Sequence, residues 1–175
     1  MFSITGNAAL MKKTYVPKYI FTLSKISSSF VNTIFALGAM LIVFGVCRVR
    51  FNFYMLFIPI ILLQVYIFCV GLGLLLAQGT VFFRDIQYIY GAFLTAWMYL
   101  TPIFYPIQQL PFELMWMIKH FNPLYAYITQ FRVIVLEGTF PDPRLILYGF
   151  VVSFTGLAIG SWIFMKKQDH FILYI

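Results

Sequence analysis

Charge is what this sequence has least of. Only 10% of its 175 residues are Asp, Glu, Lys or Arg, and five of those are acidic. Soluble domains carry about 25% charged residues. With 62% hydrophobic residues, 21% aromatics and a mean hydropathy of +0.91, the shortage excludes a soluble globular domain and points to an integral membrane protein. Cysteine is nearly absent. Cys47 and Cys69 sit in or beside apolar runs without CxxC spacing, so they read as packing residues and not as a disulfide or metal pair. Residues 1–25 lack an apolar core followed by a small-residue cleavage site, so no secretory signal peptide is read there. There is no GxxxxGK[ST] phosphate loop, no HExxH, no GxSxG and no Cys/His cluster. His120 and His170 are isolated. These absences argue against nucleotide binding by that loop, against a metal site and against catalysis.

What is present is a set of long uncharged runs with basic borders. The central one follows the pair Arg84–Asp85 and extends through residues 86–112 without a charge. Its length suits a membrane helix. Adjacent charges are costly at the bilayer centre and cheap at its surface, so the pair marks where the run begins. Pro102 and Pro106 break its far end, because proline lacks an N–H donor and disfavours helix in the residue before it. The reading is a charged mouth, a span over 87–105 and a broken end. Tyr90, Phe93, Trp97 and Phe104 fall near one stripe of that helix. Such a stripe serves packing or an interface belt, or offers a stacking surface for sugar rings.

Three other runs frame it. Residues 26–47 and 145–165 each make one span, and 51–83 is long enough for one span, near 53–77, with a loop. Gly38, Gly45, Gly71, Gly73, Gly149, Gly156 and Gly160 are expected to let helices approach closely. Gln64 reads as an amide satisfied by its neighbours. Residues 1–25 are basic and broken by Pro17, with Asn7 able to cap a short helix. That segment suits a surface-lying arm, or an ordinary basic flank attracted to anionic headgroups.

Residues 106–143 are neither span nor soluble loop. Two short apolar helices, 112–118 and 124–136, separated by Asn122 and Pro123, read as a re-entrant or interfacial hairpin. Irregular backbone at membrane depth survives only where protein covers it or it lines a cavity. Arg132 stands inside the second helix, with Glu137 as its candidate partner and snorkelling as the alternative. Four spans put both termini on one side. With the termini cytoplasmic, seven basic residues (Lys12, Lys13, Lys18, Lys25, Arg84, Lys166, Lys167) lie inside and five (Arg48, Arg50, Lys119, Arg132, Arg144) outside. The same positive-inside borders account for the +7 charge, so no nucleic-acid partner is read from it. The fold class expected is all-α integral membrane, with about four transmembrane helices and a re-entrant hairpin before the last.

Five segments, NAALMKKTYVPKYIFTLSK, FFRDIQYIY, TPIFYP, HFNPLYAYITQFR and GSWIFMKKQDHF, occur in this order along nearly the whole chain. Together they resemble the membrane subunit (permease) of type-2 ABC exporters, in the branch that moves polysaccharides such as teichoic acid, O-antigen and capsule. The resemblance implies roles. Asn7, Leu10, Lys12, Lys13 and Pro17 would dock on a separate ATPase subunit, which would hold the ATP and Mg; no cofactor is implied in this chain. Arg84 and Asp85 would form the cytoplasmic mouth. Pro102, Tyr105, Pro106, Asn122, Pro123 and Arg132 would belong to an extracellular gate hairpin over 106–143. Tyr90, Phe93 and Trp97 would face the glycan path. A second permease copy and the bilayer of the bacterial cytoplasmic membrane would complete the assembly. Family members have about six spans and an amphipathic surface helix, so the resemblance implies that this chain would correspond to the C-terminal two-thirds of such a permease. A drug or lipid cargo, a membrane transferase and a non-transporting fragment stay open at this point.

Overall fold

The computed structural model describes residues 19–47, 52–82, 85–103, 105 and 107–167. The described residues form helices α1 (Tyr19–Val46), α2 (Ile58–Phe82), α3 (Ile86–Leu100), α4 (Phe112–Phe121), α5 (Pro123–Arg132) and α6 (Pro143–Lys167). Short 3-10 turns cover Phe53–Phe57 and Ile107–Gln109, and a π segment, Val133–Glu137, prolongs α5. No strand occurs among the described residues.

Among the described residues, three helical stretches are long and apolar enough to cross a membrane: Tyr19–Val46, Phe53–Thr80 and Pro143–Lys166. The first starts earlier than expected. Lys25 lies inside it and does not mark its border, because a lysine stem can run along a helix and carry its charge to the interface. The expected span over 87–105 is helical for only 15 residues. At 1.5 Å per residue that is about 22 Å, short of the roughly 30 Å hydrocarbon core. Pro102 explains the shortfall: the residue before it, Thr101, is extended (φ −85°, ψ 125°), as a pre-proline position favours.

The contacts set helix directions. Ile26 meets Gly73, and the Ser27 hydroxyl lies 2.9 Å from the Tyr66 hydroxyl. Phe44 packs on the cluster that holds Ile58 and Ile61. Rising numbers on α1 meet falling numbers on α2, so the two are antiparallel. Between α2 and α6 the numbers rise together. Gln64 bonds to the Ile146 carbonyl, Phe68 meets Gly156, Gly71 meets Gly160, and Ala77 shares a cluster with Phe164. These two helices are parallel, so the intervening chain has to return across the bundle, and α3 is the element that does so. Gly79 near its start meets Ile86, and Trp97 near its end bonds to Asn122 of the hairpin. The chain thus crosses four times, with α3 helical for part of the way.

The α2–α6 seam is tight because of glycine. A Cβ on Gly71 would collide with the Gly156 backbone, and one on Gly160 with the Gly71 carbonyl. Small residues at such a contact let backbones approach and gain dispersion where lipid offers no hydrophobic drive. Gly38 and Gly45 differ from the expectation, since nothing lies within 4 Å of where their Cβ would be. Both cysteines are free and lie on exposed surface, not in packing positions as expected. Among the described residues, no group of His, Cys, Asp or Glu could hold a metal.

Candidate functional site

The hairpin is built from its turn outward. Asn122 ends α4 and caps α5. Its backbone N–H donates to the Ile118 carbonyl, and its Oδ1 accepts from the Leu124 N–H at 3.0 Å. Pro123 follows at the first helical position, where its missing donor costs nothing. The same amide ties the turn to the end of α3. Trp97 Nε1–H donates to Asn122 Oδ1 at 3.0 Å, and Asn122 Nδ2 donates to Thr101 Oγ1 at 2.8 Å. Thr101 in turn donates to the Trp97 carbonyl at 2.8 Å. Asn122, Thr101 and Pro102 are all buried.

From that turn α5 runs antiparallel to α2. Tyr127 packs on Phe68 with ring centroids 6.0 Å apart, Gln130 Nε2 donates to Gln64 Oε1 at 3.3 Å, and Asn52 Nδ2 donates to the Gly138 carbonyl. Gly138 closes the π segment at φ +63°, a left-handed position that suits glycine at a helix C-terminus. The hairpin therefore enters and leaves at one end of the bundle. Tyr127 reaches the level of Ser153, ten residues into α6 and about 15 Å along its axis.

A second polar knot holds that depth. Ser153 Oγ lies 2.7 Å from the Tyr127 hydroxyl and donates to the Gln64 carbonyl at 2.9 Å or the Gly149 carbonyl at 2.7 Å. Gln130 Nε2 also reaches the Leu145 carbonyl at 3.2 Å, and Gln64 Nε2 the Ile146 carbonyl at 3.4 Å. Gln64, Gln130 and Ser153 are no more than 1% exposed. Their arrangement joins α2, α5 and α6 by hydrogen bonds beside the apolar cluster of Ile61, Phe68 and Ile134. Gln64 fits the expected satisfied amide. Sequence reasoning did not pick out Tyr127, Gln130, Ser153 or Thr101. The signal available was a Tyr and a Gln at i and i+3 on one face of an apolar helix.

The other expected site residues fall as follows. Asp85 is an exposed turn residue before α3, and its carboxylate makes no capping bond. Tyr105 donates its hydroxyl to the Tyr99 carbonyl at 2.7 Å. Phe93 and Trp97 meet edge to face at 4.8 Å; Phe93 is exposed, Tyr90 half-buried, and Trp97 is engaged at the hairpin turn. Arg132 is not paired with Glu137. Its Nη2–H donates instead to the Ile103 carbonyl beyond the end of α3. Asn7, Leu10, Lys12, Lys13, Pro17, Arg84 and Pro106 lie outside the described residues.

An all-α membrane chain with a hairpin tied at both ends to crossing helices is the setting for comparison with known proteins. Residues 7–136 match the ABC-2 type transporter family, and the chain belongs to it. Among curated proteins it is similar to an O-antigen export system permease protein RfbA of Klebsiella pneumoniae, 32% identical over 165 residues, covering 91% of this chain and 62% of that protein. A protein of the same name from Myxococcus xanthus is 26% identical over 171 residues, covering 97% of this chain and 65% of that one. The chain spans somewhat over three fifths of the length of these curated relatives.

Proposed function

We propose that this chain is the membrane-spanning subunit of an ATP-driven exporter that carries a cell-surface polysaccharide or lipid-linked glycan across the bacterial cytoplasmic membrane. The similar proteins are named as O-antigen export permeases, and the bundle carries a hairpin suited to a gate. The observation that carries the reading is the hairpin turn at Asn122, fastened to Trp97 and Thr101 at the end of α3. A tilt of α3 would pull directly on that turn.

In this reading ATP and Mg sit on a separate ABC ATPase subunit. That partner docks near residues 7–25, where Asn7, Leu10, Lys12, Lys13 and Pro17 lie. Two permease copies enclose the path, and the termini are cytoplasmic. Arg84 and Asp85 stand at the inner mouth, Tyr90, Phe93 and Trp97 along the path, and the 106–143 hairpin at the outer rim. ATP acts by binding the closed ATPase pair more tightly than the open one, which biases the permease between its two arrangements.

The test is co-expression with the ABC ATPase of an O-antigen export system, followed by affinity capture from membranes. The wild-type chain should retain the ATPase, and Lys12→Glu with Lys13→Glu should release it. Retention unchanged by the double charge reversal would contradict the docking assignment, and no retention at all would contradict the exporter reading.

A further inference from the structure

Helix α1 packs on α2 along one face. Thr22 and Ile26 lie against Gly73, Ser27 and Phe30 meet Tyr66, and Phe44 joins the cluster of Ile58 and Ile61. About a third of the way round the helix lies a different face. Lys25, Ser28, Asn32, Ala36 and Ala39, at i, i+3, i+7, i+11 and i+14, line up there with Ser29 beside them, and all six are exposed. Among the described residues, no hydrogen bond or ion pair engages the side chains of Lys25, Ser28, Ser29 or Asn32.

Depth singles out Asn32. Helix α1 is 28 residues long, about 42 Å, and Asn32 stands at its middle. With a hydrocarbon core of roughly 30 Å, its amide is about 15 Å from either edge, too far for so short a side chain to reach. Lys25 differs, because its long stem carries the charge to the interface. An amide facing lipid tails has neither water nor protein to bond to, which is costly. Elsewhere the outer surface of α1 suits lipid: Val31, Ile34, Phe35 and Ile42 are large, apolar and exposed. Amides inside membranes bond across to neighbouring helices, and small residues beside them let the backbones approach. Ser28, Asn32 and Ala36, spaced by four, form a ridge of that kind.

We propose that this face docks a transmembrane helix of a partner protein, one that carries an amide or hydroxyl at mid-span and a carboxylate level with the N-terminal end of α1. Asn32 exchanges hydrogen bonds with the first group, and Lys25 pairs with the second at the interface. Charge argues against a second copy of the chain as the occupant. About a two-fold axis normal to the membrane, Lys25 would face Lys25 at one depth, and like charges repel. The inference stands whether or not the chain exports a glycan.

The experiment uses the full chain, with an acceptor dye at its C-terminus, in phosphatidylcholine vesicles. The probe is a donor-labelled peptide of about 20 leucines and alanines, with Asn at the centre and Glu seven residues to either side on the same face. Control peptides carry Leu in place of the Asn, of both Glu, or of all three. Energy transfer, followed as the peptide-to-lipid ratio rises, gives the strength of association. The wild-type chain should bind the Asn/Glu peptide about fivefold more tightly than the all-Leu control, and Asn32→Leu should remove most of that preference. Asn32→Gln, which keeps an amide, should retain more of it. Lys25→Gln should weaken binding about twofold, and only for peptides that carry Glu. Both positions are exposed, so these substitutions leave the bundle's own packing intact. Equal binding of all peptides to wild type and to Asn32→Leu overturns the docking face. A preference for Glu that survives Lys25→Gln overturns the pairing with a carboxylate. Energy transfer between two labelled copies that disappears in Asn32→Leu, with no preference among peptides, gives the face to a second copy and overturns the partner helix.

Discussion

One amide does most to place the hairpin. Asn122 uses its side-chain oxygen twice and its nitrogen once, all within 3.0 Å, and it is 6% exposed. Asn122→Ala removes a helix cap and leaves the Trp97 indole N–H without its acceptor. The expected loss is about 2–3 kcal/mol, from a cap of ~1 kcal/mol and a buried donor left unpaired at ~1–2 kcal/mol. Asn122→Ser keeps an uncharged capping oxygen and should lose less. Thermal unfolding in detergent, followed by tryptophan fluorescence, checks both. Equal stability of wild type and Asn122→Ala would mean that the turn is held elsewhere. The importance of Asn122 was legible in the sequence as a break between two apolar segments. Its partners were not, because nothing in the local pattern tells which distant side chain a capping amide meets.

Among the elements, the α2–α6 seam and the hairpin end offer sharper tests. Gly71→Leu places a branched side chain where the Gly156 backbone already sits. Overpacking of that kind costs about 1–3 kcal/mol and should force the helices apart. Gly38→Leu, in open space, should cost little. Equal loss of folded protein in the two variants, read by gel filtration, would contradict the seam. Gly138→Ala combines a left-handed backbone with contact on Asn52, and should destabilise by about 1–2 kcal/mol, again read by thermal unfolding. At this scale the sequence was informative where a break is local. Pro102, Asn122 and Pro123 mark element ends at or next to the positions where the structure has them. It misled where a charge was taken as a border: Lys25 lies within α1. The four-span reading already ran the second and fourth spans the same way, and the paired register from Gln64–Ile146 to Ala77–Phe164 agrees. It did not tell which residues of α2 and α6 meet across that seam.

For the molecule as a whole, that register fixes topology. Asn52 and Asp142 belong to the end of the bundle where α6 begins, and Asp85 and Met165 to the other. With the termini cytoplasmic, as proposed, and in a cysteine-free background (Cys47 and Cys69 replaced by serine), cysteines introduced at 52 and 142 should react with a membrane-impermeant maleimide from the outside of intact cells. Those at 85 and 165 should react only in inverted vesicles. Labelling of 85 and 142 from the same side would break the four-crossing arrangement. The buried knot of Gln64, Gln130, Tyr127 and Ser153 matters at this scale too. It joins the hairpin to two parallel helices, while Asn122 joins it to α3. Interhelical hydrogen bonds in membranes average only about 0.6 kcal/mol each, so the two fastenings together hold one arrangement without forbidding another.

The most direct test of the exporter reading is O-antigen on the cell surface. A bacterial strain deleted for its O-antigen permease, retaining the cognate ATPase, would receive this chain, and surface polymer would be measured by antibody binding to intact cells. Restored surface polymer that falls when Asn122 is replaced by Ala, at equal protein level in the membrane, is the result the account predicts. Polymer that stays inside the cell although the chain is in the membrane with the ATPase bound, or restored export indifferent to Asn122→Ala, would contradict it.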